Sequence, residues 1–264
     1  MSPVKKQLNL NADLGESFGP WSMGDDAAML GIVNSANIAC GFHAGDPLVM
    51  CRTVALAREN GVSLGAHPGF PDLQGFGRRR MDIPAAELEA MILYQIGALA
   101  ACAQAQGCRI THVKPHGAMH NIACADRKTA DIIARAIARL DAGLILLAPS
   151  ASQLLHAGRD AGLPVVEEIY ADRAYLDDGS LVPRSHQDAM IHGAEASLAH
   201  VMRMVAENAL IALSGKRLPA NPQSICVHGD GAEAVATAKA LHEGLQNAGY
   251  TLVGLPDLVQ GSEK

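Results

Sequence analysis

The sequence lacks the signatures that most quickly assign a chain. Its six cysteines, Cys40, Cys51, Cys102, Cys108, Cys124 and Cys226, include no Cys-x-x-Cys pair. Compact zinc and thiol–disulfide motifs are therefore excluded. The thiols read as small buried residues, with structural disulfides not expected in a reducing compartment. No Gly-x-Gly-x-x-Gly fingerprint marks a dinucleotide site, and no His-Glu-x-x-His occurs. The phosphate-binding loop Gly-x-x-x-x-Gly-Lys-Ser/Thr is also absent, so any ATP dependence needs another binding mode or a separate polypeptide. Positive charge is scarce. Twenty-one Lys and Arg against 27 Asp and Glu leave a formal charge of −6, and the only basic run is Arg78-Arg79-Arg80. That excludes the electrostatic footprint of a nucleic-acid binder. No apolar run approaches the roughly 18 residues of a membrane span, and no signal-peptide core follows Met1. A cytoplasmic protein without nucleic-acid or membrane partners is expected. No linker or low-complexity tract divides residues 1–264, so one domain is expected.

What is present is an alternation of strand and helix. Strand-like runs fall at Leu8–Ala12, Ser35–Cys40, Val62–Ala66, Ile110–Lys114, Leu144–Ala148, Pro164–Ile169 and Ser224–Val227, with a short eighth at Thr251–Gly254. Helical segments follow them: from a capping box at Ser22 to about Ile32, then Pro47–Asn60 and Pro84 to about Gln106. Further ones are Ala118–Leu140, Ser152–Ala161, Ala189–Ser214 and a last helix after Asp230. Alternating strands and helices imply a parallel sheet. Seven or eight such units without a dinucleotide fingerprint favour a closed (β/α) barrel.

Asp13, His43, His67, His116 and His228 each stand just after a predicted strand. In a parallel barrel all strand C-termini share one face, where active sites are built. Residues distant in sequence would therefore converge. Asp13, His43 and His67 suit a divalent metal, since imidazole and carboxylate are zinc-type ligands; without metal the same groups suit general acid–base work. Lys114, Arg78 and Arg79 are candidates to hold a carboxylate or phosphate. Asp46 precedes a helix and reads as its cap. Asp230, beside His228, serves equally as a cap or as a binding residue. Gly15-Glu16-Ser17-Phe18-Gly19 matches the nucleophile-elbow pattern, but Pro20-Trp21 continues the loop where a helix is needed, so the match reads as chance.

Seven ordered motifs resemble the LamB/YcsF family over about Leu8 to Gly254. They are Asn11–Glu16, Asn37–Asp46, Gly65–Gly69, Gly75–Arg79, Val113–Ala118, Ala171–Arg173 and Val227–Asp230. His120 stands where that family usually has Tyr, and Met119 where it has Leu. The resemblance implies an irregular, seven-stranded barrel of the glycoside hydrolase/deacetylase type. It also implies the role of the A subunit of a bacterial ATP-dependent 5-oxoprolinase, which opens the lactam of 5-oxoproline to L-glutamate with partner subunits B and C. ATP would then be a co-substrate handled by the partners, with a divalent metal as a further candidate cofactor. On that reading Asp13, His43, His67 and His116 are catalytic, and Lys114, Arg78, Arg79, His228 and Asp230 bind substrate. Two other readings remain: a metal-dependent deacetylase or amidohydrolase acting without ATP, and a non-catalytic organising subunit.

Overall fold

A computed structural model describes residues 6–229 and 233–261. Among them the strands are β1 (Gln7–Leu14), β2 (Ser35–Ala39), β3 (Ser63–His67), β4 (Ile110–Val113), β5 (Ile145–Pro149), β6 (Val165–Tyr170), β7 (Ala209–Ile211), β8 (Arg217–Pro219), β9 (Ser224–His228) and β10 (Thr251–Leu252). The helices are α1 (Asp26–Leu30), α2 (Pro47–Glu59), α3 (Ala85–Ala105), α4 (Gly117–Ala125), α5 (Arg127–Leu140), α6 (Gln153–Asp160), α7 (Ala194–Glu207), α8 (Ala234–Asn247) and α9 (Leu255–Gly261).

Strands β1 to β6 pair in sequence order and in parallel, β9 follows β6, and β9 pairs back onto β1 to close a seven-stranded barrel. The short eighth strand stays outside the ring: β10 pairs only with Gln7 and Leu8 of β1. Strand alternation sorts each segment into two faces. In β1, Leu8, Leu10, Ala12 and Leu14 join the apolar layer between barrel and helices. Asn9, Asn11 and Asp13 take the other face and are equally buried. The barrel interior is thus largely polar, crossed by Asn11 to Glu168 (2.9 Å), Asn37 to Asn11 (2.7 Å) and His112 to Asn37 (3.1 Å).

Three helical expectations change, and so does the expectation that no segment is long and apolar enough to span a membrane. Asp25, and not Ser22, caps α1 by accepting from the Ala28 N–H, because Gly24 turns the chain at φ +68° just before it. The Ala118–Leu140 segment breaks at Asp126, whose carboxylate accepts from Thr129 N and starts α5 afresh. The Ala189–Ser214 helix shrinks to α7: Asn208 adopts the left-handed conformation, and the chain turns into the antiparallel pair β7–β8. Finally, α3 is long and apolar enough by composition to cross a membrane, with mean hydropathy 1.3. Its Leu88, Ile92, Ile96 and Leu99 are buried, in the apolar layer outside the barrel. The capping box expected at Asp230 lies outside the described residues.

Candidate active site

The C-terminal ends of the strands carry a dense cluster of buried titratable groups. Lys114 follows β4 and is buried to 2 % relative exposure. Its ammonium lies 3.0 Å from Asp13 Oδ1, 3.1 Å from Glu168 Oε1 and 2.9 Å from Cys226 Sγ. With Asn11 Oδ1 farther off at 3.4 Å, the three N–H donors have no acceptor to seek elsewhere, and Lys114 is spent on holding the cluster together. Burial pushes the ammonium toward neutrality, but Asp13, Cys226 and Glu168 more than offset this and raise its pKa well above the ordinary value. Burial likewise works upward on Asp13, yet the fields of His67 and Lys114 hold its carboxyl well below the usual range. Asn37 Nδ2 adds a second contact to Asp13 Oδ1, at 2.8 Å.

Beside this pair stand three histidines. The His67 Nδ1–H donates to the Lys114 carbonyl at 2.6 Å, and the His116 Nε2–H donates to the Phe76 carbonyl at 2.8 Å. A carbonyl only accepts, so these bonds fix both tautomers. The remaining nitrogens, His67 Nε2 and His116 Nδ1, face each other at 3.0 Å. His67 Nε2 also lies 3.3 Å from Asp13 Oδ2. The His43 ring stacks on His116, centroids 3.6 Å apart, and its Nε2 lies 3.1 Å from Glu16 Oε1. His116 Nδ1 is 3.7 Å from the same carboxylate oxygen.

Local backbone explains this packing. Gly41 leaves β2 at φ +89°, which frees the loop to carry His43 inward. Gly69 and Gly77 lie against the His43–His116 stack, where an added Cβ would meet ring or Cβ atoms of His43 at 2.7 Å. Phe76 is held at φ +55°, a strained conformation for a bulky residue. That geometry aims its carbonyl at His116 and its ring edge-on to both His43 and His116.

A cavity of about 690 Å³ opens over the cluster, lined by Asp13, His67, His116, Lys114, His228 and the arginines 78, 173 and 184, among others. On its wall the His228 Nδ1–H donates to both oxygens of Asp172, at 2.9 and 2.8 Å. His228 Nε2 is left as the ring's other acceptor. Burial raises the Asp172 pKa, but its contact with His228 outweighs this, so the carboxyl sits below its ordinary value. Tyr170 stacks on His228 and pairs with His120 Nε2 at 3.0 Å. Burial, helped by Lys114, lowers the His120 pKa to about 3, which keeps that ring neutral.

The expected residues therefore separate. Asp13, His67, His116, Lys114, His228 and Arg78 line the cavity; His43 sits behind them. Arg79 does not join them: its guanidinium pairs with Asp72 on the same loop, which ties that loop and leaves it outside the cavity wall. The candidate metal trio is also rearranged. Glu16, His43, His67 and His116 form one compact donor group, while Asp13 falls into another with Cys226 and His228. Asp230 lies outside the described residues. Glu168 and Tyr170 were not singled out by sequence reasoning, although period-two alternation from Val166 does place them inside the barrel; Glu16 and Asp172 stand in two of the family motifs but were given no role. Ser17 Oγ bonds Met23 N at 3.0 Å, a loop contact.

A model of the LamB/YcsF family matches residues 8–260. The chain belongs to the LamB/YcsF family. It is 55% identical to the 5-oxoprolinase A subunit of Azoarcus sp. (strain BH72), covering 96% of this chain and 98% of that one. It is 47% identical to the corresponding 5-oxoprolinase polypeptide of Bacillus subtilis (strain 168), over 95% and 98%. Among solved structures, a lactam utilization protein from Thermus thermophilus superposes with a TM-score of 0.88 at 43% identity, covering 94% of this chain and 100% of that one. A deacetylase solved with substrate, at 16% identity and a TM-score of 0.50, covering 97% and 92%, shares the fold alone. The irregular seven-stranded barrel expected for a LamB/YcsF chain is the barrel observed.

Proposed function

We propose that this chain is the A subunit of an ATP-dependent 5-oxoprolinase of the cytoplasm, and that it hydrolyses a lactam activated by partner subunits B and C. The observation that carries the reading is the full-length match to 5-oxoprolinase A subunits. The geometry supports it with an oriented histidine on the wall of a cavity sized for a small metabolite.

Phosphorylation of the lactam oxygen by ATP on the partners would make the ring carbon electrophilic. A water added to that carbon must lose a proton, and His228 Nε2 accepts it. Asp172 holds the ring in the required tautomer and stabilises the imidazolium that forms. The ring C–N bond then breaks, and the proton on His228 passes to the departing nitrogen, which becomes the amine of glutamate. A second water releases phosphate from the resulting acyl phosphate. The Lys114 charge, fixed beside Asp13, sets the field at the cavity floor, while Arg78 and Arg173 on its wall suit the phosphate and carboxylate of the intermediate. Arg173 Nε is buried without a partner among the described residues. Asp13, His67 and His116 line the same floor. The reading stands with or without a cation on the Glu16 cluster.

The test is glutamate formation from 5-oxoproline and ATP by the chain with purified B and C subunits, against each omission. Turnover only in the complete mixture supports the reading. ATP-free hydrolysis by this chain alone, or a complete mixture without glutamate, overturns it.

A further inference from the structure

We propose that Glu16, His43, His67 and His116 form a four-coordinate site for a zinc-type divalent cation. Three observations on this side-chain cluster converge, and none depends on the reaction proposed above.

The first is convergence. Carbonyl acceptors at Lys114 and Phe76 engage the outer nitrogens of His67 and His116. Their inner nitrogens, His67 Nε2 and His116 Nδ1, point at one another at 3.0 Å, where one cation could engage both. The second is the outer contacts themselves. Metal-binding histidines characteristically donate their other N–H to a carbonyl or carboxylate, which orients the ring and raises its basicity. Both rings are held that way.

The third is size. Ligand bonds of 2.0–2.1 Å in a tetrahedron place neighbouring donor atoms about 3.3 Å apart. The observed separations are 3.0 Å for His67 to His116, 3.1 Å for His43 to Glu16 and 3.7 Å for His116 to Glu16. They bracket that edge length, and the four donor atoms lie within 4.8 Å of one another.

Three imidazoles and one carboxylate suit zinc and its first-row neighbours; calcium and magnesium prefer all-oxygen shells. His67 and His116 also line the cavity, so the ion would sit directly beneath it.

The experiment is metal uptake by the full chain, stripped with chelator, dialysed and titrated with zinc chloride by calorimetry. One equivalent should bind with a Kd below about 1 μM. Cobalt(II) should give the visible d–d bands of four-coordinate N/O ligation. Glu16→Gln and His116→Ala should each weaken zinc by about 10- to 100-fold or more, whereas His242→Ala, on α8, should bind as the wild type does. Zinc should raise the wild-type Tm and not that of the variants. Absence of saturable uptake by the wild type, a cobalt spectrum of octahedral type, or wild-type affinity in either folded variant would overturn the proposal. Because the wild-type spectrum decides by itself, a variant that fails to fold does not remove the test. No substrate or partner is present, so failure here is separate from failure of the oxoprolinase reading.

Discussion

Lys114 is the residue on which the charge of the site turns. Its ammonium is the partner of Asp13 and Glu168 at the same time. Lys114→Met would leave both carboxyl groups buried without their cation. We expect a loss of about 3–5 kcal/mol, read by urea denaturation, and a wild-type midpoint in the variant would refute that account. His228 makes a different prediction, because both it and its partner Asp172 are partly exposed on the cavity wall. His228→Asn should lower kcat by about 10²- to 10⁴-fold in the reconstituted assay, with the melting temperature nearly unchanged. Asp172→Asn should act through the same ring and add little in the double variant. Independent multiplication of the two losses would break the assignment of a dyad. At this scale the sequence was partly legible. Strand-end position is a local property, and it picked out Asp13, His67, His116 and His228, which the fold does gather at one end. Pairing is not local. Glu16 meets His43 across 27 residues and Asp172 meets His228 across 56, and only barrel closure brings them together. Arg79 departs from expectation for the opposite reason: its partner Asp72 lies seven residues away, inside a loop whose turn no periodicity reveals.

Among the elements, the loops at the strand ends are held by helix caps and buried polar ties. Asp46 accepts from Leu48 N and Val49 N at the start of α2, and its other oxygen accepts from Gly19 N at 2.7 Å. One carboxylate therefore caps a helix and anchors the loop that follows β1. Those backbone bonds, led by Gly19, hold its pKa below the usual value. A depressed folded-state pKa stabilises the protein above the unfolded-state pKa and loses that contribution as pH falls through the folded value. Asp46→Ala should cost about 1 kcal/mol near neutral pH, and the gap between wild type and variant should close below about pH 4. A gap that stays constant down to pH 2 would mean the carboxylate charge is irrelevant. Gln95 plays a comparable part from α3, where it interrupts an apolar stripe: its amide donates to the Gly69 carbonyl and its oxygen accepts from Gly69 N. That fixes the turn leaving β3, the strand that ends in His67. The existence of each barrel strand was legible because alternation and apolar runs are dictated by neighbours in the chain. The break at Asp126 and the β7–β8 hairpin were not, since apolar spacing continues across Asp126 while a single cap decides where α5 begins.

At the scale of the whole molecule, the barrel separates its chemistry from its floor. The mouth end holds the buried charges and the cavity. The opposite end is plugged by the C-terminal segment, in which Leu255 and Leu258 pack on Ile145, Leu147 and Val166. Backbone groups seal the same end: Asn9 Nδ2 donates to the Val253 carbonyl at 2.8 Å, and Leu255 N approaches Ser35 Oγ at 3.4 Å. Between floor and mouth runs the interior ladder of Asn11, Asn37, His112 and Glu168, polar groups whose hydrogen bonds are made inside the barrel. A (β/α) barrel with this division concentrates stability at the N-terminal ends of its strands and function at the C-terminal ends. Leu255→Ala should therefore cost about 2–5 kcal/mol, because Leu255 is fully buried and α9 cannot collapse inward against a closed ring. Well below the lowered melting temperature, kcat for glutamate formation with the partner subunits should match the wild type. A large fall in kcat there would mean that floor and mouth are coupled through the ladder, and the polar interior would have to be counted as part of the catalytic apparatus.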